Sequence, residues 1–329
     1  MYQYLRPLIF LLDPEKAHKL TITLLNKIIK KKMTPIVSNP RQLLGLHFPN
    51  RIGVAAGFDK NGECIDTLLS LGFGFVEVGT VTPLPQEGNP KPRLYRLPEA
   101  KAIINRMGFN NKGVDYLVER LKARQVSGIV GVNIGKNKDT PNDRAYRDYV
   151  ICLKKVYAYA DYIVINISSP NTPGLRDLHS EAHLTTLLEA LNISRNELCV
   201  THKKRVPLLV KLSPDFPYTE LPTFVGVLLK HSIDGVIATN TTTAREGVIG
   251  LPHATEVGGL SGRPLCVQST RMIQELKKNA QNRLAIIGVG GIDSAESARE
   301  KLAAGADLIQ LYTGLIYEGP ELIKKLHSL

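Results

Sequence analysis

Eight short apolar runs rich in β-branched residues, separated by amphipathic helical stretches, constrain this chain more than any other feature. The runs are Ile52 to Ala56, Phe75 to Gly79, Ile129 to Ile134, Tyr162 to Ile167, Pro207 to Leu212, Gly235 to Ala238, Ala285 to Val289 and Leu308 to Leu311. Glu63 to Leu71, Val114 to Arg124, Arg144 to Tyr159 and Ala295 to Ala304 carry the helical period between them. Strands apolar on both faces need cover on both faces, and crossover helices supply it in a parallel sheet. Eight such units fit a (β/α)8 TIM barrel, which takes about 250 residues. A doubly wound open sheet competes, but Gly53, Gly57 and Gly62 lack the spacing of a GxGxxG turn after the first strand. The connections after the second and sixth runs exceed the usual roughly 2 to 6 residues, which marks them as functional insertions.

Ahead of the barrel, two short helices are expected. Leu5, Leu8, Ile9 and Leu12 form one apolar stripe, and Ala17, Leu20, Thr21, Leu24, Leu25 and Ile28 form another. Asp13 as N-cap and Pro14 at the first helical position start the second helix. Thr34-Pro35 and Ser38-Asn39-Pro40 read as a linker, giving a hairpin over residues 1–40 and a barrel over 41–329.

Composition narrows the partners. The net charge of +12 is spread along the chain without an aromatic-interleaved basic motif, so no nucleic-acid partner is expected. Lys27, Lys30, Lys31 and Lys32 cluster near the N-terminal helices and suit an anionic lipid surface. The early apolar run Leu8 to Leu12 is far short of the roughly 20 residues of a membrane span, and it has no secretory cleavage signal. Cys64, Cys152, Cys199 and Cys266 are scattered without zinc spacing, so neither metal nor disulfides are expected, and a reducing cytosol fits best.

The strand ends carry the chemistry. Asn166-Ile167-Ser168-Ser169-Pro170-Asn171-Thr172-Pro173-Gly174 follows an apolar run, and its prolines forbid further strand. Asn133, Asn166 and Asn240 end or follow strands at the same expected mouth, implying a planar ligand with donors and acceptors. Lys211 ends the fifth run, as a Schiff-base amine or as a fixed cation beside a bound cofactor. Lys60 follows the first run, where Gly57 lets a flat ring approach the backbone. Gly288 to Asp293 and Tyr312-Thr313-Gly314 place small residues at the last two strand ends, a recurrent phosphate site. Asn105-Arg106-Met107-Gly108-Phe109-Asn110, in the first insertion, offers backbone and amide groups to an anion, with a surface turn as the alternative. His18 by itself reads as an ordinary half-buried histidine.

In this order, the motifs Ala55-Ala56-Gly57-Phe58-Asp59-Lys60, Asn105 to Asn110, Asn166 to Gly174, Lys211-Leu212-Ser213-Pro214-Asp215, Asn240-Thr241-Thr242 and Gly258-Gly259-Leu260-Ser261-Gly262 resemble the membrane-associated, quinone-dependent dihydroorotate dehydrogenases over nearly the whole chain. The resemblance implies FMN as cofactor and oxidation of dihydroorotate to orotate, with a membrane quinone as final acceptor, in pyrimidine synthesis. It implies FMN contacts at Ala56, Gly57, Thr80, Asn133, Asn166, Lys211 and Thr239, with Gly262, Gly291, Tyr312 and Thr313 near the phosphate. Substrate contacts would come from Lys60, Asn105, Arg106, Met107, Gly108, Phe109, Asn166, Asn171, Asn240 and Thr241.

The same resemblance makes Ser169 the base, with Lys211 and Lys60 as catalytic cations. A serine there, where soluble relatives carry cysteine, points to the quinone-linked branch. The N-terminal helices would dock on the cytoplasmic face of the cell membrane as a peripheral anchor, with His18, Arg96 and Tyr312 along the quinone path. A monomer is the expected state.

Overall fold

A computed structural model describes residues 2–28 and 36–329, without the side chain of Ile28. Thr34, Pro35, Lys30, Lys31 and Lys32, read as linker and basic cluster, lie outside the described residues. Eight parallel strands close into a ring: β1 (Ile52–Val54), β2 (Phe75–Val81), β3 (Ile129–Ile134), β4 (Tyr162–Asn166), β5 (Leu208–Leu212), β6 (Gly235–Ala238), β7 (Ala285–Val289) and β8 (Leu308–Leu311). Sequence neighbours pair throughout, and Ile309 of β8 pairs with Ile52 of β1 to seal the barrel. This is the expected (β/α)8 architecture, with helices packed between consecutive strands outside the ring.

The strand ends differ from the sequence reading for local reasons. β5 begins at Leu208 because Pro207 has no N–H to give a ladder. The helix expected from Glu63 starts only at Ile65, since the Asp59 carboxylate takes the N–H groups of Glu63 at 2.8 Å and Cys64 at 2.7 Å. Four strands, β3, β6, β7 and β8, have the expected bounds.

Inside the ring, Phe75, Tyr162, Val164, Leu209, Ile237, Ile287 and Leu308 form one apolar cluster. Phe48, from the hairpin of strands Arg41–Leu43 and Leu46–Phe48, sets its ring edge-on against Phe75 at 5.3 Å between centroids. Gly131 on β3 makes room for this packing, because a Cβ there would meet the Tyr162 ring at 2.0 Å.

The two long insertions are not irregular loops. Leu94–Leu97 and Ala102–Asn105 from the first pair antiparallel, and Gly259–Gly262 from the second adds to Ala102–Asn105, with Asn105 opposite Gly259. Tyr95, Leu97, Ile104, Val248, Ala254 and Leu260 give this small sheet its own core. The surface-turn alternative for Asn105 is thereby replaced by the end of a strand.

Helices α1 (Tyr2–Leu11) and α2 (Pro14–Ile28) meet at the expected break. The Asp13 carboxylate accepts the N–H of Lys16 at 2.9 Å, capping α2. Of the expected stripes only Ala17 is buried among the described side chains, with Ile9, Thr21 and Leu25 half-buried. Glu15, Ala17 and Ile22 face inward, while Leu5, Leu8, Leu11, Leu12, Leu20 and Leu24 are exposed, and α1 has no buried residue. No described helix is long and apolar enough to cross a membrane.

Candidate active site

The carboxyl ends of the strands open into a cleft. β1 delivers Ala56, Gly57 and Lys60; β2 delivers Thr80; β4 delivers Asn166, Ser169 and Asn171; β5 delivers Lys211; β6 delivers Thr239, Asn240 and Thr241. Register places Asn166 directly beside Lys211 at the rim. Asn105, Met107, Gly108 and Phe109 form the wall contributed by the small sheet, and Gly262, Gly291, Tyr312 and Thr313 line the far end. A proline-terminated strand and a closed ring thus bring together most of the residues picked out in the sequence.

Two of the expected cofactor- and substrate-contact residues do not line the cleft. The Arg106 guanidinium turns away to Glu256, at 2.6 Å, and lies over the Tyr95 ring, so its side chain takes no part in the wall. Asn133 stands one layer behind: its Oδ1 accepts from Thr80 Oγ1 at 2.6 Å and from Asn166 Nδ2 at 3.1 Å. It orients groups on the wall rather than presenting its own.

Behind Asn133 lies a residue the sequence reading passed over. Glu77 is fully buried on β2 and accepts from Asn133 Nδ2 at 2.9 Å and Gln310 Nε2 at 2.6 Å. Lys211 Nζ stands 3.9 Å from Glu77 Oε1. Burial holds the Lys211 ammonium below its usual range, and Glu77 opposes that shift. A carboxylate there favours the fixed-cation role of Lys211 over a neutral amine nucleophile. The signal was available as a lone acid in the apolar run Phe75-Val76-Glu77-Val78, matched by a lone amide in Leu308-Ile309-Gln310-Leu311.

The paired serines separate cleanly. Ser168 Oγ donates to Asn166 Oδ1 at 3.2 Å and accepts from Asn240 Nδ2 at 3.0 Å, in a fully buried position. Ser169 lines the cleft, and its Oγ accepts the N–H of Asn171 at 3.2 Å. Asn171 is fixed in turn, donating from Nδ2 to Asn105 Oδ1 at 3.1 Å and accepting from Asn89 at 3.1 Å.

Lys60 is half-buried, donates to Gly57 O at 3.0 Å, and has its pKa drawn down to about 8, chiefly by burial. His18 on α2 sets its ring edge-on to Phe58, 5.5 Å away, and Phe58 meets Tyr312 in the same way at 6.1 Å. Burial, with Lys60 nearby, pushes the His18 pKa down to about 3, so its ring is neutral, and burial pushes Tyr312 up to about 12. Arg96 sits outside the cleft. It donates to the carbonyls of Phe10 at 3.1 Å and Leu12 at 3.0 Å, satisfying the carboxyl end of α1, and covers the Phe10 ring.

The cleft suits a flat polar ring with an anionic tail. Gln310 is among the lining residues, and its buried Oε1 is an acceptor without a partner among the described residues. At the far end, backbone approaches closely where Gly291 (φ 74°) lies against Cys266, which a Cβ would meet at 2.5 Å. Lys60 and Lys211 bring cations to the cleft lining.

Comparison with known proteins agrees with this geometry. Residues 40–328 match the family model described as dihydroorotate dehydrogenase. A protein of Enterobacter sp. (strain 638) named dihydroorotate dehydrogenase (quinone) is 54% identical over 99% of this chain and 98% of its own length. One of the same name from Nitrosospira multiformis is 53% identical over 98% of this chain and 94% of its own. The crystal structure of DHODH from Eimeria tenella in complex with ferulenol matches with a TM-score of 0.88 and 40% identity, covering 96% of this chain and 90% of that one.

Proposed function

This chain belongs to the dihydroorotate dehydrogenase family, of the quinone-dependent kind, and from that premise we propose a division of labour among its residues. The enzyme oxidises dihydroorotate to orotate in pyrimidine biosynthesis, with a quinone as final electron acceptor. The observation that carries the assignment is the meeting of Lys60, Asn105, Ser169, Asn171, Lys211 and Asn240 around one cleft.

The family depends on a flavin, and we assign FMN to the cleft. Its ring would be held by Ala56, Gly57, Thr80, Asn166, Lys211 and Thr239, with Asn133 bracing Thr80 and Asn166 from behind. Its phosphate would lie among Gly262, Gly291, Tyr312 and Thr313. The buried, unpartnered Gln310 Oε1 and the close backbone approach at Gly291 fit such a group. When bound, FMN supplies the two-electron acceptor for the hydride that leaves C6 of dihydroorotate.

The chain supplies the rest. Lys60 neutralises the substrate carboxylate, while Asn105, Asn171, Asn240 and Thr241, with the Met107 to Phe109 wall, fix the ring. Loss of the C5 proton requires a base, and of the two adjacent serines Ser169 is the one on the wall. One of its acceptor positions is taken by the Asn171 N–H, which fixes where the other points. Serine is a weak base in water, so its own proton must pass to a neighbour or a water as the C5 proton arrives. Lys211 keeps a positive charge against the acceptor throughout, held by Glu77.

We assign residues 1–40 to a hairpin that rests on anionic lipid at the cytoplasmic face of the cell membrane and 41–329 to the catalytic barrel, acting as a monomer without a nucleic-acid partner. The support is the exposed row Leu5, Leu8, Leu11, Leu12 and Leu24, which the described residues leave uncovered. Quinone access would run past His18, Phe58 and Tyr312, which connect α2 to the cleft edge-to-face, with Arg96 fixing α1 beside that route.

The test is an absorbance spectrum of the purified protein before and after dihydroorotate is added without oxidant. A flavin band that bleaches is expected. Absence of the band, or a band that substrate leaves unchanged, would overturn the assignment.

A further inference from the structure

We propose that Glu77 is a positioning residue of the redox site: it holds Lys211 as a cation, orients the amide of Gln310 and, through Asn133, orients Thr80 and Asn166 on the wall that faces the bound flavin. The proposal rests on the flavin reading above, and goes beyond it by giving a role to a buried acid that touches neither substrate nor cofactor.

The geometry leaves Glu77 little other purpose. It lies wholly inside the barrel, where an unpaired carboxylate is strongly disfavoured. Three neutral donors surround it: Asn133 Nδ2 at 2.9 Å, Gln310 Nε2 at 2.6 Å and the Tyr162 hydroxyl at 3.4 Å. The positive charge that balances it is Lys211, at 3.9 Å. That separation is too long for a hydrogen bond but short enough for strong attraction in a buried site. Among the described residues Lys211 Nζ donates to no protein acceptor, so it is charge-compensated while its N–H groups remain available in the cleft.

The same carboxylate fixes which way two amides face. Because Gln310, a residue of the cleft lining, spends its NH2 on Glu77, its buried Oε1 is left as an acceptor without a partner among the described residues. Because Asn133 does likewise, its Oδ1 is turned to receive Thr80 Oγ1 and Asn166 Nδ2. A neutral isostere at Glu77 would bring an NH2 against an NH2, and one amide would have to turn over. Glu77 thus sets a donor at Lys211 and an acceptor at Gln310, a pattern that complements a ring bearing carbonyl oxygens and an imide N–H.

The experiment compares the flavin-loaded full chain with Glu77→Gln, Lys211→Met and the double variant, reading flavin affinity and the extent of flavin reduction at pH 7 against fixed ratios of dihydroorotate to orotate. Glu77→Gln should bind flavin more weakly and shift the reduction equilibrium roughly tenfold or more toward oxidised flavin, because the uncompensated lysine gives up its proton. In the Lys211→Met background the same change should leave the reduction equilibrium unaltered. An equilibrium unchanged by Glu77→Gln alone, or shifted equally in both backgrounds, overturns the proposal. Gln310→Met covers the case in which Glu77→Gln does not fold. It removes the oriented acceptor without changing charge and should weaken flavin binding about tenfold, and undiminished affinity would overturn the orienting role. Failure of the wild-type chain to bind flavin, or of dihydroorotate to reduce it, would instead overturn the flavin reading.

Discussion

Asn240 donates its side-chain amide to Ser168 Oγ at 3.0 Å, and this contact between the loops after β6 and β4 leaves Ser169 as the serine on the cleft wall. The two hydroxyls therefore have separable roles. Ser169→Ala should cut the rate of flavin reduction by dihydroorotate by roughly 10²- to 10⁴-fold while flavin stays bound. Ser168→Ala should lower stability by about 1–2 kcal/mol, by leaving Asn240 and Asn166 short of a partner, with a smaller effect on rate. Stopped-flow bleaching and urea unfolding of both variants decide it, and the reverse pattern would move the base to Ser168.

The Lys60 ammonium is needed to hold an anionic substrate, and burial draws its pKa from an ordinary 10.5 to about 8. KM for dihydroorotate should be flat below pH 8 and climb above it, approaching about tenfold per pH unit. Stability moves the other way. Between pH 8 and 10.5 the unfolded chain binds a proton that the folded chain has lost, so this group makes folding more favourable as pH rises through that window. Lys60→Gln should abolish both trends, as steady-state kinetics and urea titrations at several pH values would show.

His18 gives the opposite window. Its folded pKa of about 3 lies below the ordinary 6.5, so the neutral ring contributes stability that is fully present above pH 6.5 and is lost as pH falls toward 3. The urea midpoint should be lower at pH 5 than at pH 7, and His18→Phe should shrink that difference. The groups acting on the ring besides burial are Lys60, Glu15, Lys19 and the Phe58 backbone.

Glu15 and Arg93 form a buried two-pronged pair, 2.8 Å and 3.0 Å, that fastens α2 to the first insertion. Arg93 also holds the carbonyls of Glu87 and Asn89, and Asn89 holds those of Arg106 and Asn171. Glu15→Gln strands the Arg93 charge and should cost about 3–5 kcal/mol. It should also raise KM for dihydroorotate, since the chain of contacts ends on the substrate wall. Thermal unfolding with parallel kinetics tests both, and an unchanged KM would confine Arg93 to stability.

Leu8 and Leu11 on α1 are 64% and 83% exposed, an arrangement that lipid would reward. Replacing both with Glu should weaken binding to anionic vesicles by tenfold or more, at about 1.5–3 kcal/mol for each leucine fully buried. Flavin reduction by dihydroorotate should be unaffected, while turnover with a vesicle-borne quinone should fall. Flotation with liposomes measures the first effect, and equal flotation of both forms would remove the membrane role of this row.

What the sequence determined by itself was whatever local chemistry controls. Continuous apolar runs rich in branched side chains marked all eight strands, Asp13-Pro14 marked the start of α2, and Pro170 barred β4 from continuing. The order of strands followed from the barrel, so Lys211 and Asn166 could be placed at one rim in advance. Tertiary structure alone decided which groups meet. Glu77 and Gln310 are far apart in the chain and look like isolated polar residues in apolar strands until ring closure sets β2 and β8 across the same interior. The insertions after β2 and β6 became one sheet because their strands complete each other's backbone hydrogen bonds, which neither shows alone. Likewise the apolar stripe of α2 does not reveal which side it faces. Among the described residues the buried Glu15 carboxylate makes its shortest ion pair with Arg93, so Glu15 turns inward beside Ala17 and Ile22 while Leu20 and Leu24 turn out.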